Sequence, residues 1–194
     1  MKLHRMCRTS FVLLMAGMAG SIIGRTQTPV IPVAKEVVTE PEFADVFFQL
    51  DAGKLVSLER QTAFIQGKAS GFIVMSMKAS WEIPGTKSPV RFHSDQTLDF
   101  VIRSLFAQSA VDPSMFYFLR KLNIKKKTRE LVVMTGHASP GSATINNDPA
   151  QDALPLTFTR YGDSSLKMTT GHLTPGEYAL SRPYAQIVFC FGID

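Results

Sequence analysis

The chain has 194 residues, a formal charge of +5 from 21 basic and 16 acidic residues, and a hydrophobic fraction of 45%. That length allows one domain that buries more than half of its surface. The two cysteines are too few for a disulfide-rich scaffold, and the distribution of charge excludes the strongly basic domain typical of nucleic-acid binding.

The first 24 residues have the organisation of a secretory signal peptide. Residues 1–8 contain Lys2, Arg5 and Arg8 and no acid, and residues 11–23 are apolar or small, the order that export signals use. The apolar run is shorter than the roughly 20 residues of a membrane span. Cleavage would reduce the basic residues from 21 to 18 against 16 acidic residues, so the formal charge would fall from +5 to +2. We therefore expect export, no transmembrane span after signal cleavage and no nucleic-acid partner.

Residues 25–41 contain three prolines and no regular spacing of apolar residues. This composition predicts an extended tether between the leader and the domain. We expect residues 42–194 to form a single domain. With Cys7 in the leader, Cys190 is the one cysteine of the exported chain, and its apolar neighbours indicate a small buried hydrophobic residue.

The first part of the domain predicts short strands separated by turns. Residues 44–50 and 55–58 are rich in apolar residues and flank Asp-Ala-Gly-Lys at residues 51–54, a sequence that favours a hairpin turn. Further strands are predicted at residues 72–81, 88–93 and 98–103, the second of them at an edge because it is short and begins at a proline.

The middle of the domain predicts its strongest hairpin. Residues 115–122 and 129–134 are rich in aromatic and β-branched residues and flank a connection with three consecutive lysines. Residues 137–155 contain Ser-Pro-Gly and Asn-Asn-Asp-Pro sequences, which predict a long loop. Two more strands are predicted at residues 156–160 and 166–169.

The most apolar strand is predicted at residues 187–191. All five residues are apolar, and alternate residues point to opposite faces, so we expect an interior strand covered on both sides. About nine or ten short strands, with turns between them, predict an all-β domain. We expect an immunoglobulin-like β-sandwich of short antiparallel strands, with a small β-barrel as the alternative.

The densest charge outside the leader lies at the connection of the 115–134 hairpin. We predict a basic binding surface there, formed by the connection and the strand ends beside it. Its residues are Arg120, Lys121, Lys125, Lys126, Lys127 and Arg129. Alternation along the strands would arrange these charges as a collar, which attracts anionic polymers or lipid surfaces. The alternative is a solvated tip that prevents edge-to-edge pairing.

No residue pattern indicates catalysis or a metal site. His93, His137 and His172 lie in separate breaks between predicted strands, without the spacing of zinc ligands. Ser139 and Ser142 lie near His137, but the Gly-x-Ser-x-Gly turn of serine hydrolases is absent. We therefore predict no catalytic residue, no metal and no cofactor.

Five segments resemble a group of exported bacterial proteins to which no activity is assigned. They are residues 47–51, 55–61, 87–92, 175–180 (Pro-Gly-Glu-Tyr-Ala-Leu) and 189–194 (Phe-Cys-Phe-Gly-Ile-Asp). The last two are the most specific. The resemblance implies one coherent exported domain and transfers no functional site.

These observations favour an exported, non-catalytic binding or scaffolding domain associated with the bacterial cell envelope. We expect it in the periplasm or at the cell surface, with an envelope protein or an anionic envelope polymer as its partner. The alternative is a periplasmic carrier of an apolar or anionic small molecule, which would require a cavity between the sheets. The oligomeric state stays open.

Overall fold

The computed structural model describes residues 38–194, so the predicted signal peptide (residues 1–24) and most of the predicted tether (residues 25–41) lie outside the described residues. The described part is built from short strands and one 3₁₀ helix, Pro113–Met115. The strands are β1 (Phe47–Asp51), β2 (Lys54–Ser57), β3 (Glu59–Thr62), β4 (Phe64–Ser70), β5 (Met75–Pro84), β6 (Arg91–Phe92), β7 (Asp99–Arg103), β8 (Phe118–Ile124), β9 (Thr128–Ser139), β10 (Ser142–Asn146), β11 (Ala153–Leu154), β12 (Leu156–Tyr161), β13 (Ser165–Thr170), β14 (Gly176–Ser181) and β15 (Ile187–Ile193). The predicted all-β class is confirmed.

The smaller of two sheets has the order β12-β13-β7-β1-β2 and is antiparallel. The predicted β1–β2 hairpin is confirmed, because Asp51 pairs with Lys54. Ala52 and Gly53 between them have φ values of 46° and 80°, and positive φ at both central residues gives a two-residue turn that matches the twist of the strands.

The larger sheet has the order β3-β15-β14-β8-β9-β5-β4. Strand β10 lies beside β9, β11 lies beside β8, and β6 runs parallel to the end of β15. The sheet curls into a half-barrel. The arrangement is consistent with an all-β sandwich or barrel, the two alternatives that the sequence offered.

Two apolar cores stabilise the arrangement by removing large side chains from water. The first lies between the sheets, with Phe47, Phe100, Ile102, Leu166 and Met168 from the smaller sheet facing Leu119, Tyr178, Leu180, Phe189 and Phe191 from the larger one. The second lies inside the curl and contains Ala63, Trp81, Ile83, Leu122, Leu131, Ala179, Val188 and Cys190. Strand β15 contributes alternate residues to both cores, so the predicted interior strand is confirmed.

Two predicted segments have a different structure. Residues 72–74 form an exposed bend ahead of β5 instead of the start of a strand. Residues 137–155, predicted as a loop, contain the end of β9, all of β10 and all of β11. The Ser-Pro-Gly sequence makes the turn between β9 and β10, because β10 pairs back on β9 from Ser142 onward.

The folded part begins earlier than residue 42. Glu40 accepts hydrogen bonds from the backbone N–H groups of Asp163 (2.6 Å) and Ser164 (2.9 Å) and from the hydroxyls of Ser164 and Ser165 (both 2.7 Å). Burial acts to raise the pKa of Glu40, but these hydrogen bonds lower it to about 2. The end of the predicted tether is therefore bound to the β12–β13 connection as part of the domain.

Candidate functional site

The predicted basic collar does not form as one surface. Arg129 is fully buried, at 0% exposure, and its Nη1 and Nη2 donate to the two oxygens of Glu59 at 2.7 and 2.8 Å. Arg120 is also buried. The two arginines point into the half-barrel, because their strands alternate between its interior and the outside.

Of the four lysines in the predicted collar, two are engaged by neighbouring groups. Lys121 Nζ donates to Thr174 Oγ1 at 2.8 Å, and Lys125 Nζ lies 3.1 Å from the buried Glu130 carboxylate. Lys126 and Lys127 are exposed. The predicted basic surface is therefore reduced to the exposed Lys126 and Lys127, with Lys121 and Lys125 each already paired with a neighbouring group.

Arg129 belongs to a buried ionic network instead. Its Nη1 lies 3.5 Å from Glu177, which also pairs with Arg91. Arg91 pairs in turn with Asp194. The network members Glu59, Arg91, Glu177 and Asp194 come from four of the five segments that carry the sequence resemblance, so those motifs meet in one structural feature.

The network is internally satisfied. Burial acts to raise the pKa of Glu59, but its hydrogen bonds, led by that from Arg129, hold it below the usual range. The hydrogen bond to Asp194, with support from Glu177, raises the pKa of Arg91. Since these charges pair with one another, they are poorly placed to bind another molecule, and we look elsewhere for a binding surface.

A four-stranded extension of the larger sheet presents such a surface. It consists of β4, residues 75–79 of β5, residues 134–139 of β9, and β10, and we call it the wing. All seven residues of β4 and all five of β10 are exposed. Among the described strands, β4 pairs with β5 alone and β10 with β9 alone. The wing therefore extends the sheet beyond the packed body.

The strand register divides the wing into two unlike faces. Met77 of β5 lies beside Ala69 of β4 and Gly136 of β9, and Gly136 lies beside Ile145 of β10. The other residues of this face are Ile65, Gly67, Met75, Ala79, Met134, Ala138 and Ala143. The opposite face carries Phe64, Gln66, Lys68, Ser70, Ser76, Lys78, Thr135, His137, Ser139, Ser142, Thr144 and Asn146. The first face is apolar, and the second is polar apart from Phe64 at its body end.

The apolar face of the wing continues into the second core. Residues two apart on a strand share a face, so Ala79, Trp81 and Ile83 of β5 point the same way. A bulge between Ala79 and Ser80 inserts Val133 on the opposite strand without breaking this line, and Val133 packs against the second core. The buried and exposed parts of β5 thus form one apolar stripe.

Large apolar side chains lie at the end of the wing that is farthest from the body. Phe72 is 100% exposed, Ile73 is 73% exposed, and Val74 and Met75 follow as exposed residues. Gly71 has φ of 102°, and a Cβ there would overlap the carbonyl oxygen of Val74. The bend therefore needs glycine, and it presents four consecutive apolar residues at the tip.

The charge of the wing is also unusual. Residues 61–81 and 131–147 contain no aspartate or glutamate. The basic groups in these segments are Lys68, Lys78 and His137, all on the polar face. Lys78 donates to Glu130 at the body end of the wing (3.0 Å), whereas Lys68 is exposed. The wing is weakly cationic.

A small cavity lies where the wing joins the body. The guanidinium carbon of Arg120 lies 6.0 Å from the ring centroids of both Trp81 and Phe118. Its Nη2 donates to Ser181 Oγ at 3.1 Å, and its buried Nε has no partner among the described residues. Burial lowers the pKa of Arg120 to about 10. The cavity, of about 30 Å³, is lined by Trp81, Arg120, Val133, Asn147, Pro149 and Tyr184.

His93, His137 and His172 do not assemble a metal centre. His137 lies on the polar face of the wing with Nδ1 3.2 Å from Ser76 Oγ, and His93 and His172 lie outside the wing. Over residues 38–194, no group of three or more His, Cys, Asp or Glu side chains could hold a metal ion. The same residues include no helix long and apolar enough to cross a membrane.

Comparison with protein-family models, curated proteins and solved structures finds no match for this chain. Sequence reasoning missed the wing because it assigned residues 137–155 to a loop and residues 72–74 to a strand. Two signals in the sequence could have found it: the alternation of Met75, Met77 and Ala79 with polar residues, and the two long segments without acids.

Proposed function

We propose that this chain is an exported, non-catalytic binding domain that attaches to the bacterial cell envelope through the wing. The observation that carries the proposal is the wing itself, an acid-free sheet with one apolar face and an apolar tip. Soluble monomeric proteins seldom expose a large contiguous apolar patch, and such patches mark interaction sites. The signal-like leader supports export to the cell envelope.

Two features favour the wing over the basic hairpin as the attachment surface. Burial of apolar area supplies most of the free energy of association, and the wing offers large apolar side chains where the hairpin offers two exposed lysines. Exposed charges at the hairpin tip are screened by salt. The packed body, with its satisfied ionic network, serves as the support that holds the wing in place.

Fractionation of cells that make the native chain tests this proposal. We expect the native protein in the envelope fraction, and we expect the Phe72→Ser/Ile73→Ser variant to shift to the soluble fraction. The matched control is Phe43→Ser/Leu105→Ser, which removes an exposed Phe and an exposed aliphatic residue outside the wing. Equal retention of all three proteins would contradict attachment through the wing.

A second candidate function, a carrier of a small anion, is favoured by the Arg120 cavity. A buried guanidinium with an unpaired Nε is suited to a carboxylate, with which arginine forms strong charge-assisted hydrogen bonds. Trp81 is the one tryptophan of the chain and lines the cavity, so its fluorescence reports binding. Titration with formate and acetate should change the native spectrum and leave that of Arg120→Met unchanged. No change in the native protein would remove the carrier function.

A further inference from the structure

We propose that the wing binds the surface of an anionic lipid bilayer, with Phe72, Ile73 and Val74 inserted between the headgroups. This inference rests on the proposed function and names its partner. It is drawn from the position of the tip, from the composition of the tip, and from the charge around it.

The position of the tip suits shallow insertion. Five residues of β5 lie between the bulge and the bend, which at the usual rise per residue place the tip about 15 Å beyond the body. Side chains that bind at a membrane interface enter about 5–10 Å into the boundary between headgroups and acyl chains. The tip can therefore reach that boundary while the packed body stays in water.

The composition of the tip favours lipid over a protein groove. Residues 71–75 are Gly-Phe-Ile-Val-Met, with no polar side chain, whereas protein interfaces surround an apolar centre with a polar rim. The backbone of residues 72–74 lies outside the strands, so its polar groups need water. Insertion only to headgroup depth keeps them hydrated, and deeper insertion would leave them unpaired.

The charge around the tip favours anionic lipid. A negatively charged leaflet attracts basic residues held near it, and the exposed Lys68 lies four residues before the 72–74 bend. The carboxylates nearest in sequence along β5 and β9 are Glu82 and Glu130, at the body end of the wing. Repulsion from acids is therefore weakest where contact would occur.

Vesicle sedimentation tests the inference with the chain as cells export it. The probes are vesicles of equal parts phosphatidylethanolamine and phosphatidylglycerol, and vesicles of phosphatidylcholine alone. We expect the native protein to sediment with the anionic vesicles more than with the neutral ones. Burial of one large apolar side chain changes a partition constant by about tenfold, so Phe72→Ser/Ile73→Ser should lower it by at least about tenfold.

Matched variants distinguish insertion of the tip from non-specific hydrophobic adsorption and from electrostatic attraction. Phe43→Ser/Leu105→Ser, outside the wing, should bind like the native chain. Lys68→Glu should weaken binding to anionic vesicles and leave neutral vesicles unaffected, and Lys126→Glu, in the β8–β9 connection, should change neither. All variants are prepared in the same way, so any contribution of residues 25–37 is common to all.

A fluorescent label reports the depth of the tip. Cys190 is buried and its thiol pKa is raised by burial to about 12, so it resists labelling under native conditions. On the exported chain, an environment-sensitive dye on Phe72→Cys should shift its emission to shorter wavelength with anionic vesicles. The same dye on Leu105→Cys should show no shift.

The outcomes distinguish the two proposals. Loss of vesicle binding in the tip variant together with a blue shift at residue 72 supports lipid insertion. The lipid inference is overturned if the native chain binds neither kind of vesicle but stays in the envelope fraction and crosslinks to one reproducible protein. That result would leave the proposed function in place. If the native chain binds no vesicles and is also absent from the envelope fraction, both the lipid inference and the proposed function are overturned.

Discussion

The two ends of strand β5 share one apolar face, but this face is buried at the body end and exposed at the wing end. Ile83 is 0% exposed and Trp81 is 5% exposed, whereas Met75 on the same face is 41% exposed. On the same face of strand β9, Leu131 is buried, whereas Met134 and Ala138 are half-buried. The body end is covered by residues of β8, β14 and β15, and no described element covers the wing.

This difference shows that alternation specifies which face of a strand is apolar but does not specify what covers it. At the body end, the cover is other strands of the same chain, and the burial stabilises the fold. At the wing, the same kind of face lies outside both cores, and we propose that it contacts another molecule. Substitutions at the body end should therefore lower stability, and substitutions at the wing end should lower binding.

The largest expected effect is at the buried ionic network of the body. Arg129→Met leaves Glu59 and Glu177 without their shared cation, and loss of one partner of a buried pair costs about 3–5 kcal/mol. Urea denaturation followed by Trp81 fluorescence measures the change in the free energy of unfolding. Lys126→Met, at an exposed lysine of the same hairpin, should change it by less than about 0.5 kcal/mol. Equal effects would mean that the network does not stabilise the body.

A direct comparison of the two ends uses one apolar residue from each. Ile83→Ala should lower the free energy of unfolding by about 2–5 kcal/mol, because it leaves a cavity in the second core. Phe72→Ala should change it by less than about 0.5 kcal/mol, because the side chain is exposed. The same denaturation experiment measures both. A large loss in Phe72→Ala would show that the tip is packed in solution.

A smaller effect is expected from pH, through Glu130 at the junction of body and wing. Burial acts to raise the pKa of this carboxyl, but hydrogen bonds from Lys78, Ser80 and Lys125 lower it from 4.5 to about 2. Between these values the unfolded chain binds more protons than the folded one, so the stabilisation is complete above pH 4.5 and is lost as the pH falls toward 2.

Denaturation at pH 7 and pH 3 measures this effect. The decrease in unfolding free energy between the two should be smaller in Glu130→Gln than in the native chain. Glu42→Gln, at an exposed residue, is the matched control and should keep the native decrease. An identical pH dependence in Glu130→Gln would rule out Glu130 as a source of the acid sensitivity.

The smallest effect is expected at the two exposed lysines of the originally predicted site. Lys126→Glu/Lys127→Glu should leave stability unchanged and reduce envelope retention less than the tip variant does, because exposed charges contribute little in physiological salt. Cell fractionation of the variants side by side measures this. Stronger loss of retention than in Phe72→Ser/Ile73→Ser would return the binding site to the hairpin.

Local patterns predicted much of the body. The apolar run at residues 187–191 indicated an interior strand, and the Asp-Ala-Gly-Lys sequence indicated the β1–β2 turn. The role of Arg129 could not be predicted this way, because its partners Glu59 and Glu177 lie 70 and 48 residues away. Beside three lysines in the sequence it looked like a surface charge, and only tertiary pairing distinguishes it.

The wing was missed for another reason. Small residues such as Gly136, Ala138 and Ala143 have weak strand preferences, and the Pro-Gly pair between them favoured a loop. Pairing with neighbouring strands overrides those preferences in the folded chain. What identifies the wing as a candidate site is exposure, a property that the order of residues alone does not contain.

The position of β15 sets the time at which this domain can fold. It lies between β14 and β3 and supplies both cores, yet it is the last of the described strands to be synthesised. Until residues 187–193 emerge, Phe47 and Phe100 on one side and Trp81 and Ile83 on the other lack their central partner. We therefore expect a chain that lacks residues 187–194 to remain unfolded.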